Sequence, residues 1–245
     1  MFVTAIIAGG INSVAGGGSL VTFPTLIWLG VPSVIANATN TVAIWPGTLG
    51  SVWAYRRELR GIDRRIYWLV IPSIAGSIVG AMLLERTPTA FFDRFVPILI
   101  LFATLLFMLQ EPIQKRFNLT VPPESRSYWF AWVMFYQFFV GVYGGYFGAA
   151  IGILMLAALS VMGHTDIHQM NGIKNVLAVA INAVASMYFI VSGLVVWSDA
   201  LVMAAGAVIG GVAGAGVARR MGRAAVRRVV VIIGFAMAVS LMLRL

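Results

Sequence analysis

The sequence predicts an all-α polytopic integral membrane protein that is built from two inverted helical repeats. Three observations predict this fold class: the apolar composition, the position of the few charged residues, and an internal repetition. Of the 245 residues, 60% are hydrophobic and 10% are charged, against roughly 45–50% and about 25% in an average soluble domain. The charged residues lie between long apolar runs, as expected for a chain that crosses a lipid bilayer.

Apolar segments bounded by charge, Gly or Pro predict the individual elements in chain order. Each half contributes one long segment with a glycine break, followed by three segments of about 20 residues, the length of one transmembrane helix. The first half comprises 1–30, 33–55, 66–84 and 89–109, and the second comprises 127–163, 172–197, 200–218 and 226–243.

The two long segments each contain a glycine break. The first is Gly16-Gly17-Gly18, and the second comprises Gly144-Gly145 and Gly148. Glycine disfavours a helix interior, so each segment is expected to form two short helices joined by unwound backbone. Such backbone persists in a bilayer only where protein or a water-filled cavity satisfies it.

A helix that starts at Ser19 would direct its N-terminal amides into that cavity, where an anion is the natural occupant. The alternative interpretation is that these glycines only permit close helix packing.

A polar cluster opens the helix that follows each broken segment. Side chains of this kind are candidates for substrate binding, although helix capping and snorkelling of the lysine are simpler alternatives. Asn37 and Asn40 share one helical face, as do Asn171, Lys174 and Asn175. The clusters consist of Asn37, Thr39, Asn40 and Thr41 in the first half, and of Asn171, Lys174 and Asn175 in the second.

The breaks and clusters recur in the same order at an offset of about 132–136 residues, which predicts a duplication. We expect one membrane domain over residues 1–245. It contains a first repeat (1–109), a linker (110–126) and a second repeat (127–245).

Charge predicts the topology. The loops at 56–65 and 219–228 are densely basic, so both are expected in the cytoplasm together with the linker. The second-half counterpart of the first loop, 193–199, has no Lys or Arg and is expected outside. The halves are then inverted, and each broken segment returns to its starting side as a re-entrant hairpin or as two short crossings. We expect a multi-pass protein, located in a bacterial inner membrane.

Several other chemistries have little support. The net charge of +9 comes mostly from basic residues in short loops, without a nucleic-acid-binding motif. The absence of cysteine excludes thiol and disulfide chemistry. His164, Asp166 and His168 lack a fourth ligand and make a weak metal signal. We therefore predict no metal, cofactor or catalytic residue. Glycines at a spacing of four predict helix packing: Gly76 and Gly80, then Gly206, Gly210 and Gly214.

Several motifs resemble those of the sulfite exporter TauE/SafE family. They are Ala-Gly-Gly-Gly-Ser-Leu-Val at 15–21 followed by Pro24, Leu-Gly-Val-Pro at 29–32, Ala-Asn-Ala-Thr-Asn at 36–40, and Tyr-Arg-Arg at 55–57. The resemblance covers nearly the whole chain. The second copy departs from it, because Ala149 and Ala150 replace the glycine run and Met155 stands where a proline is expected.

The resemblance implies export of small oxyanions or organic anions such as sulfite, sulfonates and related carboxylates. The carboxylates of this chain lie at loops, so no proton relay is evident, and we expect the membrane potential to drive export. An uptake permease or channel is the main alternative. An intramembrane serine protease using Ser19, or a purely structural membrane protein, is a remote one. Beyond the anion and the lipid bilayer, a homodimer is a partner that the sequence leaves open.

Overall fold

The computed structural model describes residues 1–14, 17–57, 59, 62, 64–109, 126–162, 167–221 and 223–243. These residues form helices and their connections, with no strand among them. The first-half helices are α1 (Phe2–Val14), α2 (Ser19–Trp28), α3 (Ser33–Ala54), α4 (Val70–Arg86, after a 3-10 turn at Arg64–Leu69) and α5 (Thr89–Met108). The second-half helices are α6 (Arg126–Tyr146), α7 (Ile151–Val161), α8 (Ile167–Val191), α9 (Trp197–Met221) and α10 (Arg223–Met242).

The all-helical prediction is confirmed, and the helices are apolar as a membrane protein requires. Within the described residues, Ile66–Arg86, Thr89–Met108 and Gln169–Val191 are long and apolar enough to cross a membrane. The helices α1 and α2 have 13 and 10 residues, about 20 Å and 15 Å at 1.5 Å per residue. Each is shorter than the roughly 30 Å hydrocarbon layer.

The prediction for the second break was partly wrong. Gly144 and Gly145 lie inside α6, which continues to Tyr146, and the chain unwinds only between α6 and α7. Gly145 packs directly on Ser77 of α4, where an added Cβ would lie 2.2 Å from the Ser77 carbonyl oxygen. This glycine therefore serves helix packing, as the alternative interpretation held, whereas Gly148 lies in the break itself.

Both broken segments fold back on themselves. At the first break the N–H of Gly18 donates to Oδ1 of Asn12, so the start of α2 lies beside the end of α1. At the second, the hydroxyl of Tyr136 in α6 donates to the carbonyl oxygen of Leu154 in α7. We call these two segments the first hairpin (α1–α2) and the second hairpin (α6–α7).

Each hairpin packs its first helix on a helix of the other half. Gly206 and Gly210 of α9 lie against the carbonyl groups of Phe2 and Ile6 in α1. Because the contacts advance together along both helices, α1 and α9 run in the same direction. The packing role predicted for these two glycines is confirmed.

The pair α4 and α6 repeats this arrangement. Gly76 and Gly80 lie against the carbonyl groups of Phe138 and Val142, so these helices also run in the same direction. The packing role predicted for Gly76 and Gly80 is confirmed too. Gly214, the third glycine of the series in α9, lies at a position whose surroundings are outside the described part of the structure, so its packing role stays a prediction.

The helices α3 and α8 run in opposite directions. Near the start of α3, Oγ1 of Thr39 accepts a hydrogen bond from the N–H of Val196, which follows α8. Beyond the end of α3, Leu59 lies against Gly172 near the start of α8. The largest fully buried side chains include Phe23, Phe92, Phe107 and Phe189, which belong to one apolar core.

Candidate functional site

The first polar cluster lies one turn inside α3, because this helix begins at Ser33. Capping therefore does not explain it. Asn37, Thr39 and Asn40 are 2% exposed or less, and Thr41 is also buried. Buried polar groups are costly in a bilayer unless they are hydrogen-bonded. The hydrogen-bond partners of these side chains therefore show which helices the cluster connects.

Asn40 connects the cluster to the first hairpin. Its Oδ1 accepts a hydrogen bond from the hydroxyl of Thr22 in α2, with an oxygen–oxygen distance of 2.5 Å. Thr22 lies one turn beyond Gly18, whose carbonyl oxygen is also within reach of the same hydroxyl at 3.1 Å. The first break and the first cluster are therefore adjacent in space.

Asn37 connects the same cluster to the second hairpin. Its Nδ2 donates to the carbonyl oxygen of Tyr146, the last residue of α6, at 2.8 Å. Its own carbonyl accepts a hydrogen bond from the hydroxyl of Thr41. The cluster on α3 thus contacts both hairpins, which belong to different halves of the chain.

The second break has an unusual backbone. Gly148 has a φ of +76° and Ala150 a φ of +62°. A non-glycine residue in this left-handed region is strained by roughly 1–2 kcal/mol, and such strain is concentrated at functional sites. The helix that follows, α7, begins at Ile151, and the N–H of Ile153 in its first turn bonds to the carbonyl oxygen of Ala150.

The amides of the first break are largely occupied. Gly18 donates to Asn12, while the N–H groups of Leu20 and Val21 bond to the carbonyls of Gly17 and Gly18. Gly17 has a φ of +92° and lies against the ring of Phe107. Ser19 is half-buried at the start of α2, and Gly16 lies outside the described residues.

The second polar cluster lies along α8, where Asn171, Lys174 and Asn175 are half-buried. The aliphatic part of Lys174 crosses Gly152 in the first turn of α7, where an added Cβ would lie 2.9 Å from Cδ. Gly152 corresponds to Gly18 and Lys174 to Asn40 at the offset of the repeat. The structure therefore places each cluster beside the hairpin of its own half, and it brings Asn37 to the other hairpin as well.

Sequence reasoning missed Asn12, Thr22 and Tyr146. Asn12 was detectable as a lone amide in an apolar run, and Thr22 as a hydroxyl one turn after the break. Tyr146 contributes through its main chain, so its side chain carries no signal of this role. The weak metal signal at 164–168, from which no metal site was predicted, is untested, because His164 and Asp166 lie outside the described residues, as does the side chain of His168.

Glu85, a carboxylate near the site, has a hydrogen-bond partner that the sequence did not predict. Glu85, in the last turn of α4, accepts a hydrogen bond from the hydroxyl of Tyr188 near the end of α8. Close by, the hydroxyls of Thr87 and Tyr146 lie 3.5 Å apart. These contacts join the two halves at the same end of α8 as the contact between Thr39 and Val196.

Comparison with known proteins shows one family over nearly the whole chain. The family model described as sulfite exporter TauE/SafE matches residues 1–241. A probable membrane transporter protein of Haemophilus influenzae is 28% identical over 97% of this chain and 91% of its own length. The probable membrane transporter protein YfcA of Escherichia coli K12 is 26% identical over 99% and 88%. No solved structure matches the chain significantly.

Proposed function

Because the chain belongs to the sulfite exporter TauE/SafE family, we propose that it exports small anions such as sulfite, sulfonates or related organic anions. The proposed site lies near the bilayer midplane between two inverted repeats of a multi-pass bacterial inner-membrane protein. One observation carries this proposal: the polar cluster of α3 contacts both hairpins, through Asn40 on one and Asn37 on the other. A site that contacts moving parts of both halves is what alternating access requires.

Helix directions support the inverted relation. The helices α3 and α8 occupy equivalent places in the two halves, yet they run in opposite directions. The hairpin of each half packs on the fourth helix of the other half, α1 on α9 and α6 on α4. A twofold axis lying in the membrane plane produces this pattern, whereas an axis along the membrane normal would make α3 and α8 parallel.

Anionic substrates follow from the charge of the groups around the breaks. The N-terminus of a helix carries a partial positive charge, and α2 and α7 both begin at a break. Lys174 adds a cationic side chain beside α7. Together these groups favour a small anion over a neutral or cationic substrate.

Energetics makes export the favoured direction. A unit negative charge that leaves a negative cell interior gains about 2.3 kcal/mol per 100 mV of membrane potential. Such an exporter works without a dedicated proton relay, although an ion gradient is an additional driving force.

The test is anion flux in proteoliposomes at an imposed potential, with sulfite, sulfate and small sulfonates. We expect potential-dependent flux that falls when Lys174 or Asn40 is replaced by Ala. Arg57→Ala is the matched control, because it removes one positive charge from an exposed loop and should leave flux unchanged. Absence of flux for every anion by a folded protein would refute the proposal.

The alternative is an uptake permease or a channel for the same anions. An exchange experiment distinguishes a carrier from a channel. Anion added on the opposite side of the membrane accelerates flux through a carrier, but it does not accelerate flux through an open pore. The remote serine protease reading makes a different prediction, because Ser19→Ala would then abolish activity completely.

A further inference from the structure

Two buried oxygen atoms on α3 have no hydrogen-bond partner within the described part of the chain. They are Oγ of Ser33 and Oδ1 of Asn37. Both residues are 2% exposed or less. They are four residues apart on one helix, so they share a face, and the side chain at Asn37 leans toward Ser33. An unpartnered buried oxygen costs about 1–3 kcal/mol, which makes two neighbouring ones notable.

The orientation of the Asn37 amide is determined by its neighbour. Its Nδ2 donates to the carbonyl oxygen of Tyr146, and the reversed amide would place two acceptors against each other. The Oδ1 atom is therefore the end that remains open. An additional ligand at this position must offer a hydrogen atom or a positive charge.

The contact at Tyr146 also favours positive charge. Tyr146 is the last residue of α6, where the final carbonyl groups have no intrahelical donor and the helix dipole is negative. The carbonyl of Tyr143 is already used by the N–H groups of Phe147 and Gly148. The carbonyl of Tyr146 retains one lone pair after accepting from Asn37. The candidate ligands are thus three oxygens: the Ser33 hydroxyl, the Asn37 amide oxygen and a main-chain carbonyl at a helix C-terminus.

We propose that Ser33, Asn37 and the C-terminus of α6 form a binding site for a sodium ion. Small hard cations take oxygen ligands, and transporters hold Na⁺ with side-chain oxygens and the carbonyls of broken helices. The ion joins α3 of the first half to the second hairpin, so it strengthens a contact between parts that move during transport. This inference adds a coupling ion to the proposed function, but binding itself does not depend on that function.

The test measures Na⁺ binding to the purified full-length protein without any transported anion. The midpoint of thermal unfolding is followed with NaCl, KCl or choline chloride at equal ionic strength. We expect NaCl to raise the midpoint of the wild-type protein in a saturable manner, and KCl and choline chloride to have little effect. Ser33→Ala should weaken the apparent Na⁺ affinity about tenfold, as expected for the loss of one ligand. Ser33→Thr, which keeps the hydroxyl, should retain the response.

Ser73→Ala is the matched control. Ser73 is equally buried in α4 and accepts a hydrogen bond from Gln137, so its loss destabilises the protein without touching the three oxygens. This variant should have a lower midpoint and an unchanged Na⁺ shift. Equal shifts with all three salts, or a Ser33→Ala shift equal to that of the wild type, would overturn the proposal. A protein that binds Na⁺ but moves no anion would instead refute the proposed function alone.

Discussion

At the scale of single residues, the second break places Gly148 and Ala150 in a backbone conformation that strains Ala150 only. Both occupy the left-handed region, which glycine adopts freely and alanine does not. Because one position carries glycine and the other alanine, the substitutions Gly148→Ala and Ala150→Gly test the strain directly.

We expect Gly148→Ala to lower stability by about 1 kcal/mol or more, because it adds backbone strain and a Cβ 3.0 Å from the Gly144 carbonyl oxygen. Ala150→Gly should leave stability unchanged or raise it by up to about 1 kcal/mol, since relief of strain exceeds the added chain entropy. Unfolding midpoints of the two variants in the same detergent provide the measurement. Destabilisation by Ala150→Gly would show that the left-handed conformation carries no strain.

The bond between Thr22 and Asn40 connects a hairpin to the cluster and permits a double-mutant cycle. Hydrogen bonds between membrane helices average about 0.6 kcal/mol and reach about 1.7 kcal/mol. The short 2.5 Å distance places this one near the upper value. Thr22→Val and Asn40→Ala, alone and combined, should therefore show a coupling above about 1 kcal/mol in unfolding free energy.

Thr25 provides the control for this cycle, because its hydroxyl donates to the carbonyl of Val21 within α2. Thr25→Val combined with Asn40→Ala should be additive. Equal coupling for both pairs would mean that the effect arises from α2 as a whole and not from the bond.

The polar residues of the site were predictable to different degrees. Asn37 and Asn40 were identifiable because lipid makes any amide in an apolar helix conspicuous. The distinction between them was not predictable: Asn40 bonds within its own half, whereas Asn37 reaches the opposite half. That difference depends on long-range packing, since the carbonyl of Tyr146 that Asn37 meets is a main-chain group.

At the scale of elements, glycine has two roles that local sequence does not separate. Gly144 and Gly145 resemble a helix break in sequence, yet they lie inside α6. Contacts with α4 and α8 favour the helix there, because only glycine admits such close approach. The break moves instead to Gly148, the glycine with positive φ.

The close approach predicts large effects at Gly80 and Gly210. An added Cβ would lie 2.1 Å from the Val142 carbonyl oxygen and 1.9 Å from that of Ile6, respectively. Each change to Ala must push two helices apart and should cost about 1–3 kcal/mol. Gly50 in α3 has nothing within 4 Å of the corresponding position, so Gly50→Ala should be neutral or stabilising.

Unfolding midpoints of the three variants test this ranking. The contrast between Gly50 and the two packing glycines removes the effect of helix propensity, because all three substitutions are the same and all lie within helices. A Gly50→Ala midpoint as low as the others would mean that backbone flexibility, and not packing, is what these glycines supply.

At the scale of the whole molecule, the order of elements was predictable because lipid imposes it. Apolar length and charge between segments identified the helices in order, although α8 begins five residues before the predicted 172. The proposed repeat indicated which positions are equivalent. The exchange of hairpins between halves was not predictable, since α1 shows no sequence mark of its contact with α9. It follows from small residues on both helices, and such residues are common throughout this chain.

The inverted arrangement leads to a labelling prediction that this chain suits well, because it has no cysteine. Arg57 follows α3, Ser198 is the second residue of α9, and both are exposed. If the halves are inverted and the basic loop is cytoplasmic, a membrane-impermeant maleimide should label Ser198→Cys in intact cells. Arg57→Cys should be labelled only after the membrane is permeabilised. Ala185→Cys, fully buried in α8, should resist the reagent in both conditions. Labelling of Arg57→Cys and Ser198→Cys from the same side would contradict the inversion, because these two loops are equivalent positions in the proposed repeat.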